Sequence, residues 1–431
     1  MFSKYLPNKP YTREAMLRIV VIAVGFTTAL AMWISTMMKA RGDFLLHWEF
    51  GRRLVHGIFL YTNGMHIPYP PSWAVLFAPF SLFPQRVAMP LFFVVGMLSL
   101  IALLRILFIL AKEHFALKSD FAFWLTAAVL LITSRFVLRD LADGGENLFI
   151  NALTWGGLYF FIHRKPIAGG ALLGLAIALK CTPLLFTAYF VLKRQWVAAI
   201  SSLAFAALFF VSPILFQGPK SYAEHISFWK QNVIAGISQK DPSIGVLGPE
   251  ELHNKALKPM LARFLMRLPD GHPSRLQSAA YFDFLRLSPP VAGIIIKLIT
   301  LISALAVAWC FIRSPREMES IVFVWECAII SLLMLLFSPI TWGEHCVACL
   351  PAVYLIVLRL GSRRYVSPWV KRCFIAIVAV FILLNRSFLR FNLSELMESY
   401  HAITFCLIGL VAVAFAFWNE AKETPAPFPA S

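Results

Sequence analysis

The sequence is poor in charged residues. Asp, Glu, Lys and Arg make up 14% of its 431 residues, whereas soluble domains contain about 25%. The mean hydropathy is +0.73. Four uncharged stretches, 19–38, 87–104, 196–216 and 400–418, approach the ~20 residues that a helix needs to cross a bilayer. This composition excludes an ordinary soluble protein and predicts an all-α polytopic membrane protein.

Features of disulfide-linked, metal-binding and nucleotide-binding proteins are also missing. The seven cysteines are an odd number within or beside apolar segments, which argues against a disulfide framework. His345, Cys346 and Cys349 resemble half of a zinc site, but no second cysteine pair completes it. The sequence has no nucleotide-binding loop. We therefore predict no metal and no cofactor, and we expect the net charge of +17 to face membrane lipids instead of nucleic acid.

The division of Lys and Arg between the loops predicts how the chain is oriented in the membrane. We predict about twelve transmembrane helices, with both termini in the cytoplasm of a cell (inner or plasma) membrane. The expected spans are 16–38, 87–111, 119–137, 147–162, 167–179, 182–192, 196–216, 290–312, 319–337, 345–359, 370–385 and 401–418. The apolar stretch 69–83 is interrupted by three prolines. If it crossed the membrane, every later loop would lie on the side opposite to the one that its Lys and Arg content predicts. We therefore predict a re-entrant or interfacial segment that lines a cavity on the outer side.

We expect residues 1–431 to form a single integral membrane domain. Two outer segments are too long for simple connectors. The first, 39–86, is predicted to carry juxtamembrane helices. The second, 217–289, is a large outer loop rich in Lys and Arg, which suits either acidic lipid headgroups or a specific anionic site. Residues 419–431 are predicted to be a flexible cytoplasmic tail.

Asp43 is the most informative polar residue, because it directly follows the first predicted span. An acidic residue at that depth is costly unless it is paired or used. If 44–56 is helical, Asp43 and His47 share one face at a spacing of four residues. Asp43 can therefore be a base that takes a proton from a hydroxyl group, or simply the N-cap of that helix.

Five groups of residues follow one another between about residues 40 and 352. They are Asp43-Phe44 with Trp48, Gly57 to Tyr61 and Tyr69-Pro70-Pro71; Gly145-Glu146-Asn147 with Gly169, Gly170 and Gly174; Lys180-Cys-Thr-Pro183; Asn254-Lys255-Ala256-Leu257 with Arg263; and Ser338-Pro339-Ile-Thr-Trp342-Gly-Glu344-His345 with Pro351. In this order they resemble the membrane glycosyltransferases of the C-type fold, most closely family 87, the polyprenyl-phosphate-mannose-dependent α-mannosyltransferases.

The sequence also departs from the pattern of that family. Glu146 stands where the family usually has Gln, and Lys255-Ala256 replaces Gln-Ser. Gly343-Glu344 replaces the commoner pair before the histidine. These departures leave the Asp and the His in place and alter groups that can touch sugar hydroxyls.

The resemblance implies a role for each matched residue. It implies that Asp43 and His345 are catalytic. Residues expected to bind the donor phosphate are Lys180, Arg263, Arg139 and Arg52. Residues expected to bind the sugar or the acceptor are Tyr61, Tyr69, Asn147, Asn254, Trp342 and Glu344.

Most of these residues also have a plain structural interpretation. Lys180 can extend to the interface, and Arg52 can contact lipid headgroups. Arg139 can pair with Asp140 or Asp143, and His345 can cap polar groups. The aromatic residues can belong to an interfacial belt, and Asn254 to a loop turn.

The expected function is transfer of a hexose, with mannose implied by the resemblance, from a polyprenyl-phosphate donor to a glycolipid or glycan. The active site is expected to face outward, towards the periplasm. A transporter or flippase of a lipid-linked sugar is the alternative, because broken helices also mark transport pathways. The absence of inverted repeats and the grouping of catalytic-type residues on one face favour the enzyme.

Overall fold

The computed structural model describes residues 13–38, 43–61, 68–115, 119–237, 239–278, 280–362, 365–384 and 391–423. Some residues used for the topology prediction lie outside these ranges, among them Lys4, Lys9, Lys118, Arg363 and Arg364. The same holds for 62–67 of the first outer segment and for 424–431 of the predicted tail.

Helices form nearly all of the regular structure in the described ranges. The first half of the chain contains α1 (Arg13–Met38), α2 (Phe44–Val55), α3 (Ser72–Ser81), α4 (Gln85–His114), α5 (Ser119–Asp143), α6 (Glu146–Ile162), α7 (Pro166–Leu179), α8 (Leu184–Leu192) and α9 (Trp196–Phe210). The second half contains α10 (Ile214–Trp229), a π-helix (Lys230–Ile234), α11 (Ala235–Ile237), β1 (Ile244–Gly245), β2 (Gly248–Pro249), α12 (Leu257–Leu265), α13 (Pro273–Leu276), α14 (Pro289–Ile312), α15 (Ile321–Phe337), a 3₁₀-helix (Glu344–Cys349), α16 (Leu350–Gly361), α17 (Pro368–Leu383), α18 (Phe391–Ser399) and α19 (Ala402–Glu423).

A helix lies at each of the twelve predicted spans, but these helices differ in length. Among the described residues, six are long and apolar enough to cross a membrane, or seven if the bent pair α9 and α10 is one span. Helices α7 and α8 have 14 and 9 residues. They extend roughly 21 and 14 Å, less than the ~30 Å hydrocarbon core. A helical multi-pass membrane protein is therefore confirmed, and a count of twelve spans stays a prediction.

The predicted span 196–216 is not one straight helix. Helix α9 ends at Phe210, and the next helix leaves at an angle of 89°. Pro213 lies at the junction as the N-cap of α10. Its ring prevents α9 from continuing, because proline lacks an N–H group and clashes with the preceding turn. Hydropathy does not register this break, and whether the bent pair forms one span across the membrane stays a prediction.

The first predicted outer segment contains two helices, α2 and α3, that pack tightly together. A Cβ atom on Gly51 of α2 would lie 2.5 Å from the carbonyl carbon of Phe77, so only glycine permits this approach. Pro70 and Pro71 precede α3, and Pro79 lies near its end without interrupting it. The helices expected for 39–86 are present, and the side of the membrane they face stays a prediction.

The predicted large loop 217–289 is mostly folded. It contains most of α10, the π-helix, α12, α13 and a two-stranded antiparallel hairpin in which Gly245 lies opposite Gly248. The segment packs onto the helical body, because the backbone N–H of Lys255 donates to the carbonyl of Thr341 at 2.5 Å. This contact joins it to the turn that precedes the 3₁₀-helix.

Part of the predicted tail belongs to the last helix. Helix α19 continues to Glu423, so residues 419–423 are helical. Two contacts stabilise its last turn. The Nε–H of Arg359 donates to Glu420 Oε1 at 3.0 Å, and Lys422 Nζ lies 4.4 Å from the centre of the Trp418 ring.

An aromatic cluster fixes α2 and α3 against α4. The ring centroids of Phe44 and Phe92 are 5.5 Å apart, and those of Phe77 and Phe92 are 4.8 Å apart. Phe44, Phe77 and Phe92 are all buried. Since Phe44 follows Asp43 directly, this packing sets the position of the aspartate relative to the rest of the protein.

Candidate active site

A cavity of about 350 Å³ lies beside the start of α2, the segment before α3, the α7–α8 junction and the end of α15. Its apolar wall includes Leu46, Leu185, Val233, Ile234, Ile237, Val246, Met334 and Phe337. Its polar wall includes Asp43, His47, Tyr69, Lys180, Trp342 and His345. A polar end beside an apolar wall suits a ligand with a polar head and a hydrocarbon tail. The stretch 69–83 lines this cavity through Tyr69 and Pro70, as predicted.

Asp43 occupies the N-cap position of α2, but its side chain makes no capping hydrogen bond. The N-cap interpretation therefore does not account for its carboxylate. Burial is the main cause that raises the pKa of Asp43 above its ordinary value of 3.8, followed by the neighbouring carboxylate of Glu146. The groups that act in the opposite direction are His47, Arg139 and Lys180. A raised proton affinity suits a residue that must take a proton near neutral pH.

His47 is buried beside Asp43, and its tautomer follows from its contacts. The indole N–H of Trp73 donates to His47 Nδ1 at 3.1 Å. Because an indole can only donate, Nδ1 accepts, and the neutral ring carries its hydrogen on Nε2. That Nε2 lies 3.8 Å from Glu146 Oε1. Within the described residues, neither His47 Nε2 nor Glu146 Oε2 has a hydrogen-bond partner.

Asp43, His47 and Glu146 are close enough together to be compared with a metal site. One candidate ligand atom from each lies within 4.8 Å of the other two. A metal needs a lone pair on a ring nitrogen, but Trp73 uses the lone pair of Nδ1, and Nε2 carries the hydrogen. The donor set therefore fits a polar cluster of proton donors and acceptors better than a metal centre.

A tight turn between α5 and α6 positions Glu146. Gly144 and Gly145 have φ values of 132° and 79°, which favour glycine. The carboxylate of Asp140 accepts hydrogen bonds from the backbone N–H groups of Asn147 at 3.3 Å and Leu148 at 2.9 Å. It therefore acts as an N-cap for α6 from the preceding helix.

Asn147 connects this turn to Lys180. Its Nδ2 donates to Asp140 Oδ1 at 2.8 Å, and its Oδ1 accepts from Lys180 Nζ at 2.6 Å. Lys180 Nζ also lies 5.4 Å from the centre of the Tyr69 ring. The ammonium is thus fixed at the cavity by an amide and an aromatic ring, which argues against a side chain that extends to the interface. Asn147 and Lys180 also line an adjoining cavity of about 30 Å³.

His345 and Trp342 lie at the cavity on the turn that leads into the 3₁₀-helix. The backbone N–H of Trp342 points to His345 Nδ1 at 3.2 Å, and the carbonyl of Ile340 is also 3.2 Å from that nitrogen. The rings of Trp342 and His345 stack with centroids 5.9 Å apart. The structure therefore brings both predicted residues to the same cavity as Asp43.

Arg139 and Glu344 are paired beside the cavity. Arg139 Nε lies 2.9 Å from Glu344 Oε2 and 3.5 Å from Asp143 Oδ2. The contact with Asp143 was one of the expected alternatives, whereas the contact with Glu344 was not expected. Neither Arg139 nor Glu344 lines the cavity, so their predicted roles in binding phosphate and sugar have no support from position.

Arg52 and Arg263 lie away from the cavity lining. Arg52 makes a bidentate contact with Glu49, with N–O distances of 2.7 and 2.8 Å. Arg263 is buried in an aromatic cage, with its Cζ 4.0 Å from the centre of the Tyr281 ring and 4.8 Å from that of Tyr400. The sequence places both cations in the predicted outer segments but does not reveal the direction of their side chains. The predicted contacts with the donor phosphate are not supported by these positions.

Tyr61 and Asn254 also lie outside the cavity lining and contact residues that form it. The Tyr61 hydroxyl donates to the carbonyl of Tyr69 at 2.9 Å. Asn254 Oδ1 accepts from the N–H of Thr341 at 2.9 Å, and its Nδ2 donates to the carbonyl of Pro339 at 3.0 Å. These contacts assign Tyr61 and Asn254 to positioning the cavity wall.

The sequence did not assign a role to His47, Trp73 or Asp140. His47 had one signal, its spacing of four residues from Asp43, and Asp140 was named only as a possible partner of Arg139. Trp73 reaches His47 from another helix, and Asp140 reaches Asn147 across a glycine turn. The first contact depends on the packing of two helices and the second on the geometry of the turn, and the sequence pattern reports neither.

Comparison with known proteins gives one matching family. The model of glycosyltransferase family 87 matches residues 67–339, more than half of the chain. Two similar curated proteins are both polyprenol-phosphate-mannose-dependent alpha-(1-2)-phosphatidylinositol mannoside mannosyltransferases. The one from Mycobacterium tuberculosis is 29% identical over 332 residues, which cover 74% of this chain and 68% of the relative. The one from Mycolicibacterium smegmatis is 26% identical over 337 residues, 75% of this chain and 69% of the relative. No solved structure matches the chain significantly.

Proposed function

The chain belongs to glycosyltransferase family 87, and from this membership we propose that it transfers mannose from a polyprenyl-phosphate donor to a glycolipid acceptor. The acceptor class follows the names of the two relatives, which act on phosphatidylinositol mannosides. The observation that carries the mechanism is an Asp43 carboxylate without a capping role on the same cavity wall as the Lys180 ammonium.

In the proposed reaction, an acceptor hydroxyl attacks the anomeric carbon of the donor sugar. Its proton moves to a carboxylate oxygen of Asp43, the new C–O bond forms, and the bond between the anomeric carbon and the phosphate oxygen breaks. Attack from the side opposite the phosphate inverts the anomeric configuration. The electron pair leaves with the polyprenyl phosphate, and Lys180 stabilises the negative charge that develops there.

The apolar wall gives the two lipid substrates a place beside the polar groups. Val233, Ile234 and Ile237 from the π-helix and α11, and Met334 and Phe337 from α15, line this part of the cavity. A polyprenyl chain that contacts this wall can place its phosphate near Lys180. The proposal needs no nucleotide, because the phosphate is already carried on the lipid.

We further propose a C-type glycosyltransferase fold in which the shorter helices complete about twelve spans. Both termini are then cytoplasmic, and 39–86, 217–289 and the cavity face outward, as the distribution of Lys and Arg suggests. The test is a cysteine placed at position 240, an exposed residue of the large outer loop, in a cysteine-free background. An impermeant thiol reagent labels it on intact cells if the proposal is right, whereas labelling only after lysis contradicts the outer-face orientation.

The decisive experiment is single-turnover transfer by Asp43→Asn with the donor already bound. Loss of a general base costs typically ~10²–10⁴ in rate, so transfer is expected to fall by that factor while donor binding persists. Asp43→Glu is expected to fail largely as well, because one added methylene displaces the carboxylate. A folded Asp43→Asn protein that transfers sugar at the wild-type rate overturns the proposed base.

A second experiment, on the wild-type protein, distinguishes sugar transfer from transport of the donor. A panel of polyprenyl-phosphate sugars is incubated with the protein, with and without glycolipid acceptor, and release of polyprenyl phosphate is measured. Acceptor-dependent release from the mannose donor supports the proposed enzyme. Movement of the intact donor across a vesicle membrane without release supports a flippase instead.

A further inference from the structure

We infer that Glu146 and His47 form a positioning pair for Asp43. In this pair Glu146 is a buried carboxylate that increases the proton affinity of the base, and His47 keeps Glu146 ionised and directed towards it. The inference rests on the proposed role of Asp43 and adds two positioning residues to it.

The first support is the distance between the groups. Candidate ligand atoms of Asp43, His47 and Glu146 lie within 4.8 Å of one another. Two carboxylates this close repel each other when both are ionised, so each favours a proton on the other. The repulsion is relieved when Asp43 takes the proton of the acceptor hydroxyl. The pair therefore favours the direction of proton transfer that the reaction needs.

The second support is the rigid placement of Glu146. It is the first residue of α6, directly after Gly145, whose φ is 79°. A Cβ atom on Gly145 would lie 3.0 Å from the Cα of Gly96 in α4. The carboxylate of Asp140 fixes the following N–H groups, as described above. A carboxylate placed by such close packing keeps its distance from Asp43.

The third support is the tautomer of His47. With Nδ1 accepting from Trp73, the hydrogen is on Nε2, and Glu146 Oε1 lies 3.8 Å from that nitrogen. This nitrogen is buried and has no hydrogen-bond partner in the described part of the chain. A donor in this position stabilises a carboxylate and disfavours its neutral form. Because its Nδ1 already accepts a hydrogen bond, His47 is suited to orient the acids and not to act as the base.

The ionisable surroundings of Asp43 come from its own helix and from five other parts of the fold. The ionisable groups that interact electrostatically with Asp43 are His47 from its own helix, Arg139 and Asp143 from α5, Glu146 from α6, Lys180 at the end of α7, Glu344 from the 3₁₀-helix and Tyr69 before α3. Arg139 is engaged with Glu344 and Asp143. Removing the charge of Glu146 therefore leaves Lys180 as a nearby cation with one fewer carboxylate to balance its charge.

The experiment is the pH dependence of single-turnover transfer in Glu146→Gln. Glutamine keeps the shape and an oxygen that can accept from His47, but it removes the negative charge. We expect the midpoint of the acidic limb to move to lower pH by about one unit, and the plateau rate to fall by up to about tenfold, because a weaker base transfers protons more slowly. The midpoint does not depend on the amount of folded protein. An unchanged midpoint overturns the inference.

Glu49→Gln is the matched control. It removes a carboxylate from the same helix, where Glu49 contacts Arg52 and Arg53 instead of the cavity. We expect its midpoint to equal that of the wild type. A shift of equal size in this control would mean that Glu146 acts only through general charge, which also overturns the inference.

Two variants of His47 test the orienting donor. His47→Gln keeps an N–H group and is expected to retain more activity than His47→Phe, which keeps a ring but no donor. We also expect Trp73→Phe to broaden or shift the acidic limb, because the His47 tautomer is no longer specified. An equal loss of activity in His47→Gln and His47→Phe, with an unshifted acidic limb in both, would mean that His47 has only a packing role.

Failure of this inference can be told apart from failure of the proposed function. If Asp43→Asn transfers sugar at the wild-type rate, Asp43 is not the base, and this inference is overturned as well. If Asp43→Asn is inactive and transfer by Glu146→Gln has the wild-type pH midpoint, only the positioning pair is overturned.

Discussion

Two buried glutamates, Glu146 beside the cavity and Glu326 in α15, have very different hydrogen-bond and ion-pair partners. Glu146 is 1% exposed and Glu326 is fully buried. An ionised carboxylate in either place is costly unless partners compensate for its lost hydration. The partners present are what distinguish the two sites.

The surroundings of Glu326 leave neither carboxylate oxygen without a partner. Lys193 Nζ lies 3.0 Å from its Oε2, and the Tyr189 hydroxyl donates to the same oxygen at 2.5 Å. The Trp418 N–H donates to Oε1 at 3.1 Å, and Ser314 also donates to Oε1. These donors come from three different segments of the chain: α8 with its C-cap, the turn after α14, and α19. The cluster therefore joins the ends of several helices.

By comparison, the hydrogen bonding around Glu146 is incomplete. Its Oε2 and the neighbouring His47 Nε2 have no hydrogen-bond partner within the described ranges, and the like-charged Asp43 is close. Buried polar groups are satisfied in most proteins, so unsatisfied ones need a reason. We infer that the Glu326 cluster stabilises the fold, whereas the Glu146 cluster retains unused hydrogen-bonding capacity for catalysis.

The largest expected effect tests the structural side of this comparison. Lys193→Met leaves Glu326 buried without its cation, and breaking such a pair costs about 3–5 kcal/mol of stability. Thermal unfolding in detergent measures the loss, while turnover per folded molecule stays near that of the wild type. Replacing Glu326 by Met as well is expected to restore part of the stability. A single variant as stable as the wild type would contradict the structural assignment.

Lys180→Ala tests the catalytic side. Removing one group that stabilises developing charge typically lowers turnover by ~10²–10³, and we expect this loss with a smaller change in stability. Lys180→Arg is expected to retain part of the activity if charge alone matters. Lys220, an exposed lysine of α10, is the control, and Lys220→Ala is expected to behave like the wild type. Normal donor use by Lys180→Ala would make this lysine structural, like Lys193.

The pH dependence of the wild-type enzyme gives a smaller effect. Asp43 accepts a proton only when it is ionised, and burial together with Glu146 raises its pKa above 3.8. Transfer is therefore expected to be lost as the pH falls through a midpoint above 3.8, and to be full at higher pH. Single-turnover rates between pH 4 and pH 8 measure this limb. A rate that stays at its full value down to pH 4 would contradict the electrostatic environment described for Asp43.

The smallest effect concerns access to the cavity. Cys181 is exposed and lines the cavity, whereas Cys346 and Cys349 are buried. In a background without the partly exposed Cys310 and Cys373, a small thiol reagent is expected to label Cys181 first. Polyprenyl phosphate is expected to slow the labelling several-fold by occupying the cavity. Equal labelling with and without the lipid would place the donor elsewhere.

Several parts of the site could be predicted from the sequence, and others could not. Asp43, Lys180, Trp342 and His345 line one cavity, as motif order suggested. Arg263 was expected to contact the donor phosphate, yet it lies in an aromatic cage. A basic residue in an outer segment is visible in the sequence. The direction of its side chain depends on the residues that pack around it.

The sequence by itself determined that this protein folds in a membrane and where its helices lie along the chain, because hydropathy and proline act locally. It also determined the membership in its family through motif order. Tertiary structure alone decided which polar groups meet. The tautomer of His47 depends on Trp73 from another helix, and the partner of Lys180 is an asparagine 33 residues away. Such contacts depend on the distance between helices and on the orientation of their side chains, and both are set only when the helices pack together.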